Sequence, residues 1–224
     1  MKKPCVSKMA FEDRLYPVLL PVPEAYQHRR RAETVRFLKA HARRALALSA
    51  RKSGVALENL EKKENGAPVP SRGVHWSLTH KDAFVGAVAA PEPVGIDLET
   101  IRPRSTALFA RIADDREWAL LGTKDPRCFF RCWTAKEAVL KAAGDGLSGL
   151  SGCRIHDVFN ENRLTVIYKG TPWKVEHHFF KGHVASITLG SLPVEWVLVE
   201  DAFFEPDVFL QDTHLPFKSS QTRG

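Results

Sequence analysis

The chain has 224 residues, enough for one large domain or two small ones with separate cores. Hydrophobic residues make up 44% and charged residues 26%; no apolar run reaches the length of a membrane span, and Pro17, Pro21 and Pro23 interrupt Val18-Leu19-Leu20, so no signal-peptide core follows Lys2 and Lys3. A cytoplasmic protein without membrane contact is expected, and its formal charge of +7 points to an anionic partner: nucleic acid, a phosphorylated small molecule or an acidic protein.

Over residues 24–53, Val35, Leu38, Ala42, Ala45, Leu46 and Ala47 recur near helical spacing and Gly54 ends the pattern, which predicts an amphipathic helix with room for one break. It is strongly basic, carrying His28-Arg29-Arg30-Arg31, Arg36, Lys39, Arg43, Arg44, Arg51 and Lys52, either as a solvated face or as an anion-binding one. A polar connector over 61–71, with Asn65-Gly66, Pro68 and Pro70, reads as turn and loop. Short strands are predicted over 75–80, 84–89 and 94–99, separated by Lys81-Asp82 and Pro91-Glu92-Pro93. A second helix runs over 125–143, with Asp125 at the N-cap, Pro126 in the first turn and Gly144 and Gly146 as the stop. Strands over 164–168, 174–180, 183–189 and 195–200 follow.

The stretches THKDAFVGAV and FFKGHVASIT each read as strand, two-residue turn, strand, so the two halves repeat one α+β order. The expectation is two lobes, 1–102 and 103–210, each a helix on a small, mostly antiparallel sheet, with a cleft between them and a poorly ordered tail over 211–224. The N-terminal lobe would carry the strand VGIDLE. Cys5, Cys128, Cys132 and Cys153 lack disulfide spacing; Cys128 and Cys132 are one helical turn apart without a second ligand pair, so buried free thiols are expected rather than a zinc site.

Chemistry concentrates in three segments. In VGIDLE, alternation sends Ile96 and Leu98 to the core and projects Asp97 and Glu99 together, an arrangement suited to full solvation or to a cation between them; hard oxygen ligands at that spacing fit Mg²⁺. In WTAKEAVLKAAGDGL, Glu137 and Lys141 share a helical stripe beside an apolar flank, where an ordinary i,i+4 surface pair is the simple alternative. His80 ends the strand HWSLTH. Together these five side chains suit a pyrophosphate: a metal to bridge phosphate oxygens, Lys141 to neutralise charge developing on a transferred phosphoryl group, and His80 to bond a phosphate oxygen.

HWSLTH, VGIDLE and WTAKEAVLKAAGDGL, in this order and separation, resemble the corresponding segments of the 4′-phosphopantetheinyl transferases of the larger, two-lobed, surfactin-synthetase-activating type, over residues 36–189. The resemblance implies a pseudo-twofold pair of α+β lobes, a monomer, with the active site between them. It implies transfer of 4′-phosphopantetheine from coenzyme A to a serine of an apo acyl or peptidyl carrier protein, acidic around that serine, with release of 3′,5′-ADP and no role for nucleic acid. Residue by residue it implies Asp97, Glu99 and Glu137 as Mg²⁺ ligands, His80 and Lys141 as coenzyme A phosphate contacts, Thr79 as a further coenzyme contact, and Glu117 as a carboxylate aiding the attacking hydroxyl. Either Glu137 or Glu117 would take the serine proton. The family often has Gly-Lys-Pro before the first strand; here it is Gly66-Ala67-Pro68, so Lys62 or Lys63, or Arg43 or Arg44, would have to meet the 3′-phosphate. Two other classes compete: a non-catalytic basic nucleic-acid-binding module, and a Mg²⁺-dependent phosphodiesterase using water as nucleophile.

Overall fold

A computed structural model describes residues 12–27 and 31–200. Cys5, Arg29, Arg30 and the expected tail over 211–224 lie outside the described residues. The elements are β1 (Val18–Pro21), α1 (Glu24–Gln27), α2 (Arg31–Lys52), β2 (His75–His80), β3 (Phe84–Ala90), β4 (Ile96–Thr100), α3 (Thr106–Ile112), α4 (Asp115–Leu121), α5 (Pro126–Ala143), a 3₁₀ turn (Leu147–Gly152), β5 (Arg154–Asn160), β6 (Arg163–Tyr168), β7 (Thr171–Phe180), β8 (His183–Thr188) and β9 (Val197–Leu198). The α+β class expected from the periodicities is present. Among the described residues no helix is long and apolar enough to cross a membrane.

Local chemistry explains most boundaries. The Asp125 carboxylate accepts the Cys128 N–H at 2.8 Å, Pro126 fills the first turn, and Gly144 ends α5 in the left-handed region at φ 75°. In the β7–β8 hairpin, Lys181 and Gly182 both take positive φ, as a two-residue turn requires. The β2–β3 turn is shifted by one residue from its expected place: the Lys81 N–H donates to Phe84 O at 2.8 Å, so Asp82 and Ala83 form its tip and Lys81 continues the strand.

β1, α3, α4 and β5 were not expected. β1 hides because Val18, Leu19 and Leu20 are buried on both faces, which erases alternation, and prolines flank them. The helix expected over 24–53 appears as α1 and α2, and the last strand shortens to Val197–Leu198.

Two sheets form, ordered β2-β3-β1-β9 and β4-β8-β7-β6-β5. Each borrows a strand across residue 102. β4, expected in the N-terminal lobe, pairs antiparallel with β8 (Asp97 opposite Ser186), while β9 pairs in parallel with β1. The division at 102 therefore does not follow the hydrogen bonding, and the carboxylate strand belongs to the sheet of the second half. Helix α2 covers one sheet through Leu38, Ala42, Ala45 and Leu46, and α5 covers the other through Phe130, Ala135, Val139 and Leu140. A third apolar layer, with Leu19, Val88, Ile96, Leu98, Ala185 and Ile187, joins the two sheets. Edge strands β2 and β4 meet beside it.

Candidate active site

The site begins with a close approach of backbones. Gly95 precedes β4 on the face that also carries Asp97 and Glu99, and a Cβ there would stand 1.8 Å from Ala138 O in α5. Only glycine lets strand and helix come this near, which brings Asp97 and Glu99 under Glu137 and Lys141. The solvated alternative for the carboxylate pair is thereby removed: Asp97 is 6% and Glu99 7% exposed.

Along β2, three side chains on one face reach the neighbouring edge. Ser77 Oγ accepts the Ile96 N–H at 3.1 Å, Thr79 Oγ donates to Asp97 Oδ1 at 3.2 Å, and Lys81 Nζ pairs with Glu99 Oε1 at 2.7 Å. The period-two geometry of the strand makes this ladder, so Thr79 uses its hydroxyl on a carboxylate. Lys141 bridges the two sheets: its ammonium donates to Ile96 O at 2.9 Å, to Leu78 O at 3.5 Å and to Asp97 Oδ1 at 2.7 Å. The simple surface-pair reading of Glu137 and Lys141 fails, because the lysine is engaged with β2 and β4.

Glu137 is the third carboxylate. Its Oε1 is buried and has no hydrogen-bond partner among the described residues. Burial, then the charges of Asp97 and Glu99, push its carboxyl up to about 7, against the opposing pull of Lys141 and Lys81. Glu99 is also raised, mainly by burial. Among the described residues, no three His, Cys, Asp or Glu side chains stand together as a ready-made metal cage. The physical reason is visible: Asp97 and Glu99 each hold a lysine. The donor set still suits a hard divalent cation, being three mutually repelling carboxylates, one with a buried oxygen left unbonded.

Beside the carboxylates lies a field of positive charge. Burial and the neighbouring Lys141, Lys81 and Lys39 hold the His80 imidazole below its ordinary range. Burial and then Lys39, Arg43 and Lys141 lower the Lys62 ammonium. Lys39 and Arg43 are one turn apart on α2, and among the described residues neither they nor Lys62 enter an ion pair with a carboxylate. The connector is fixed here by Asn65, whose amide donates to Gly144 O at 3.0 Å. Of the basic residues left open by sequence, Arg43 and Lys62 fall in this cluster, while Arg44 acts on His41. Lys39 was legible only as one of many basic residues on the helix and Lys81 only as a turn residue; register and helical spacing relative to the other elements bring them to the site.

Glu117 is not brought to the three carboxylates. It is the N3 residue of a capping box with Asp114, and Glu117 Oε1 accepts from Lys136 Nζ at 2.7 Å and the Ile155 N–H at 2.7 Å. Its Oε2 accepts from the Asp114 N–H at 3.0 Å, and the residue is 2% exposed. Both oxygens are committed, which corrects its expected role beside an attacking hydroxyl. Cys128, Cys132 and Cys153 are free; burial pushes Cys132 up to about 12 and Cys153 up to about 11, so those two pack as protonated thiols.

Residues 93–188 match the family model described as the 4′-phosphopantetheinyl transferase superfamily. Among curated proteins, the chain is similar to 4′-phosphopantetheinyl transferase HetI of Nostoc sp. (39% identity over 90 residues, 37% of this chain and 38% of the relative). It is also similar to 4′-phosphopantetheinyl transferase gsp of Aneurinibacillus migulanus (31% over 90 residues, 38% of each) and to 4′-phosphopantetheinyl transferase Sfp of Bacillus subtilis (31% over 78 residues, 33% of this chain and 35% of the relative). The chain thus spans well under half the length of these relatives in the matched region, which runs through β4, α5 and β8 and includes all three carboxylates. It is in this segment, and not over the whole chain, that the similarity to the 4′-phosphopantetheinyl transferase superfamily lies.

Proposed function

We propose that the chain transfers 4′-phosphopantetheine from coenzyme A to a serine hydroxyl of an apo acyl or peptidyl carrier protein, releasing 3′,5′-ADP, with Mg²⁺ held by Asp97, Glu99 and Glu137. The observation that carries this reading is Glu137: a half-buried carboxylate with one buried, unbonded oxygen, raised to about 7 by burial and by Asp97 and Glu99, one turn from Lys141. When bound, the ion supplies charge neutralisation and orientation to the pyrophosphate oxygens. The other work falls to the protein. Lys141, already in place between the two sheets, faces the charge that develops on the phosphoryl oxygens, and His80 donates to one of them. The serine oxygen forms a bond to the β-phosphorus while the bond to the ADP-side oxygen breaks, and the electron pair leaves with 3′,5′-ADP. Glu137 takes the serine proton, directly or through a water. Glu117, with both oxygens bonded, supports the fold beneath α5.

Lys39, Arg43 and Lys62 form the seat for the 3′-phosphate, Lys62 supplying the charge missing at Ala67. The two-lobed pseudo-twofold arrangement belongs to this reading as well, supported by the reciprocal lending of β4 and β9 between the sheets. The excess of basic residues favours an acidic carrier in the cytoplasm. Weighing an apo carrier after incubation with the protein, coenzyme A and Mg²⁺ tests the reading. A gain equal to the phosphopantetheinyl group supports it; hydrolysed coenzyme A with an unchanged carrier supports a phosphodiesterase, and no product of either kind leaves a binder.

A further inference from the structure

The transfer chemistry does not use Lys81, yet the fold holds both its backbone and its side chain. The hairpin register fixes it, since the Lys81 N–H closes the β2–β3 turn on Phe84 O at 2.8 Å. Alternation along β2 then points it the same way as Thr79, toward β4, and its ammonium meets Glu99 Oε1 at 2.7 Å. Glu99 is 91% withdrawn at its side chain, while the Lys81 side chain is 38% exposed, so the lysine reaches inward from the rim. The same ammonium is near enough to act on Glu137 and on His80. One flexible cation thus stands before two of the three carboxylates and the imidazole.

Resting on the metal-dependent transfer reading, we propose that Lys81 is an internal counter-cation: it holds the Glu99 arm of the carboxylate trio until a divalent ion takes that arm, and its released ammonium then binds the polyphosphate of the coenzyme. Three consequences follow from charge alone. Before the ion arrives, Lys81 and Lys141 keep two carboxylates from repelling each other and Glu137, which lets the trio be buried without collapse of the β2–β4 junction. Loading an ion must break the Lys81–Glu99 pair and leave an ammonium beside a dication, which is unfavourable unless an anion is present to receive it. A pyrophosphate is such an anion, and the lysine has three donors on a flexible stem with which to reach it. Ion and coenzyme therefore bind synergistically, and by linkage each tightens the other by the same factor.

The test measures binding directly. Mn²⁺ is titrated into the full chain and the free ion followed by its paramagnetic resonance signal, with and without coenzyme A, for wild type, Lys81→Met, Lys81→Arg and Asp97→Ala. Lys81→Met keeps the stem and removes the charge. It is expected to bind Mn²⁺ about three- to tenfold more tightly than wild type without coenzyme, the scale of one partly exposed ion pair, and to gain less from coenzyme A. Lys81→Arg, which retains the cation, is expected to keep most of the synergy. Without ion, Lys81→Met is expected to melt below wild type, because Glu99 loses its counter-charge, and to recover on Mn²⁺ binding, whereas Lys81→Arg should melt as wild type does. If wild type binds Mn²⁺ and Asp97→Ala does not, but Lys81→Met matches wild type in affinity and in synergy, the role of Lys81 is overturned while the metal site stands. If wild type binds no Mn²⁺ even with coenzyme A, or Asp97→Ala binds as well as wild type, the metal reading fails and takes this inference with it.

Discussion

Gly95→Ala probes the contact on which the candidate site depends. The added Cβ would lie 1.8 Å from Ala138 O, 2.7 Å from Ala142 N and 2.8 Å from Ala138 C. All three are backbone atoms of α5, so no side chain can swing aside. An ordinary C···O approach is about 3.3 Å, which requires strand and helix to part by roughly 1.5 Å at this point. Overpacking of this kind costs about 1–3 kcal/mol, and at this chain length each kcal/mol lowers Tm by about 2–4 °C, so a fall of roughly 2–12 °C is expected. The larger effect should be on turnover. Asp97 and Glu99 ride on β4, Glu137 and Lys141 on α5, and a misplacement of about 1 Å between reacting groups costs on the order of 100-fold. Gly86→Ala serves as the comparison, because its Cβ would press only on side-chain ends, Thr79 Cγ2 at 3.0 Å and Leu19 Cδ2 at 3.1 Å, and should be milder in both readouts. Thermal melts and carrier modification measured by mass decide the matter. A Gly95→Ala protein with wild-type Tm and turnover would refute the argument that this glycine sets the distance between the two halves of the site.

Lys136→Met removes the buried cation facing Glu117, the Lys136 side chain being 1% and that of Glu117 3% exposed, and leaves it only the exposed Arg154 at 3.4 Å, so urea unfolding should report a loss of about 3 kcal/mol; a loss below about 1 kcal/mol would show the buried pair to be dispensable. Glu137 has a carboxyl raised to about 7 in the folded chain against 4.5 ordinarily, so the native state holds the extra proton between those values and stability falls as pH rises through that window. In chelator, Glu137→Gln should therefore be more stable than wild type at pH 8 by roughly 1–3 kcal/mol, with the gap closing toward pH 4.5, and parallel melting curves across the range would contradict this. Lys62→Met should raise KM for coenzyme A with little change in kcat and should leave KM for 3′-dephospho-coenzyme A unchanged; equal effects on both would place the 3′-phosphate elsewhere.

The sequence alone determined the elements whose signals are local. Helix α5 was legible from Asp125 through Gly144 because capping and left-handed termination are written in single residues, and β2, β3 and β8 because strands bounded by turn residues need no partner to be recognised. The pairings Asp97 with Glu99 and Glu137 with Lys141 were equally legible, since periods of two and of four residues fix which side chains share a face. Other features depended on what came to lie opposite. β1 was invisible because burial on both faces removes the alternation that marks a strand, and the membership of β4 was misjudged because its pairing with β8, which sets Asp97 opposite Ser186 far along the chain, leaves no trace in a neighbouring sequence window. Glu117 was given a role at the attacking hydroxyl only by the resemblance; the fold surrounds it with Lys136, the Ile155 N–H and its own capping box. Lys81 looked like the tip of a turn, and a one-residue change in register turned it toward Glu99. The sequence supplied the charges and their local order, and long-range packing decided which of them are paired, because an electrostatic partner is chosen by distance in space and the chain specifies that distance only once it is folded.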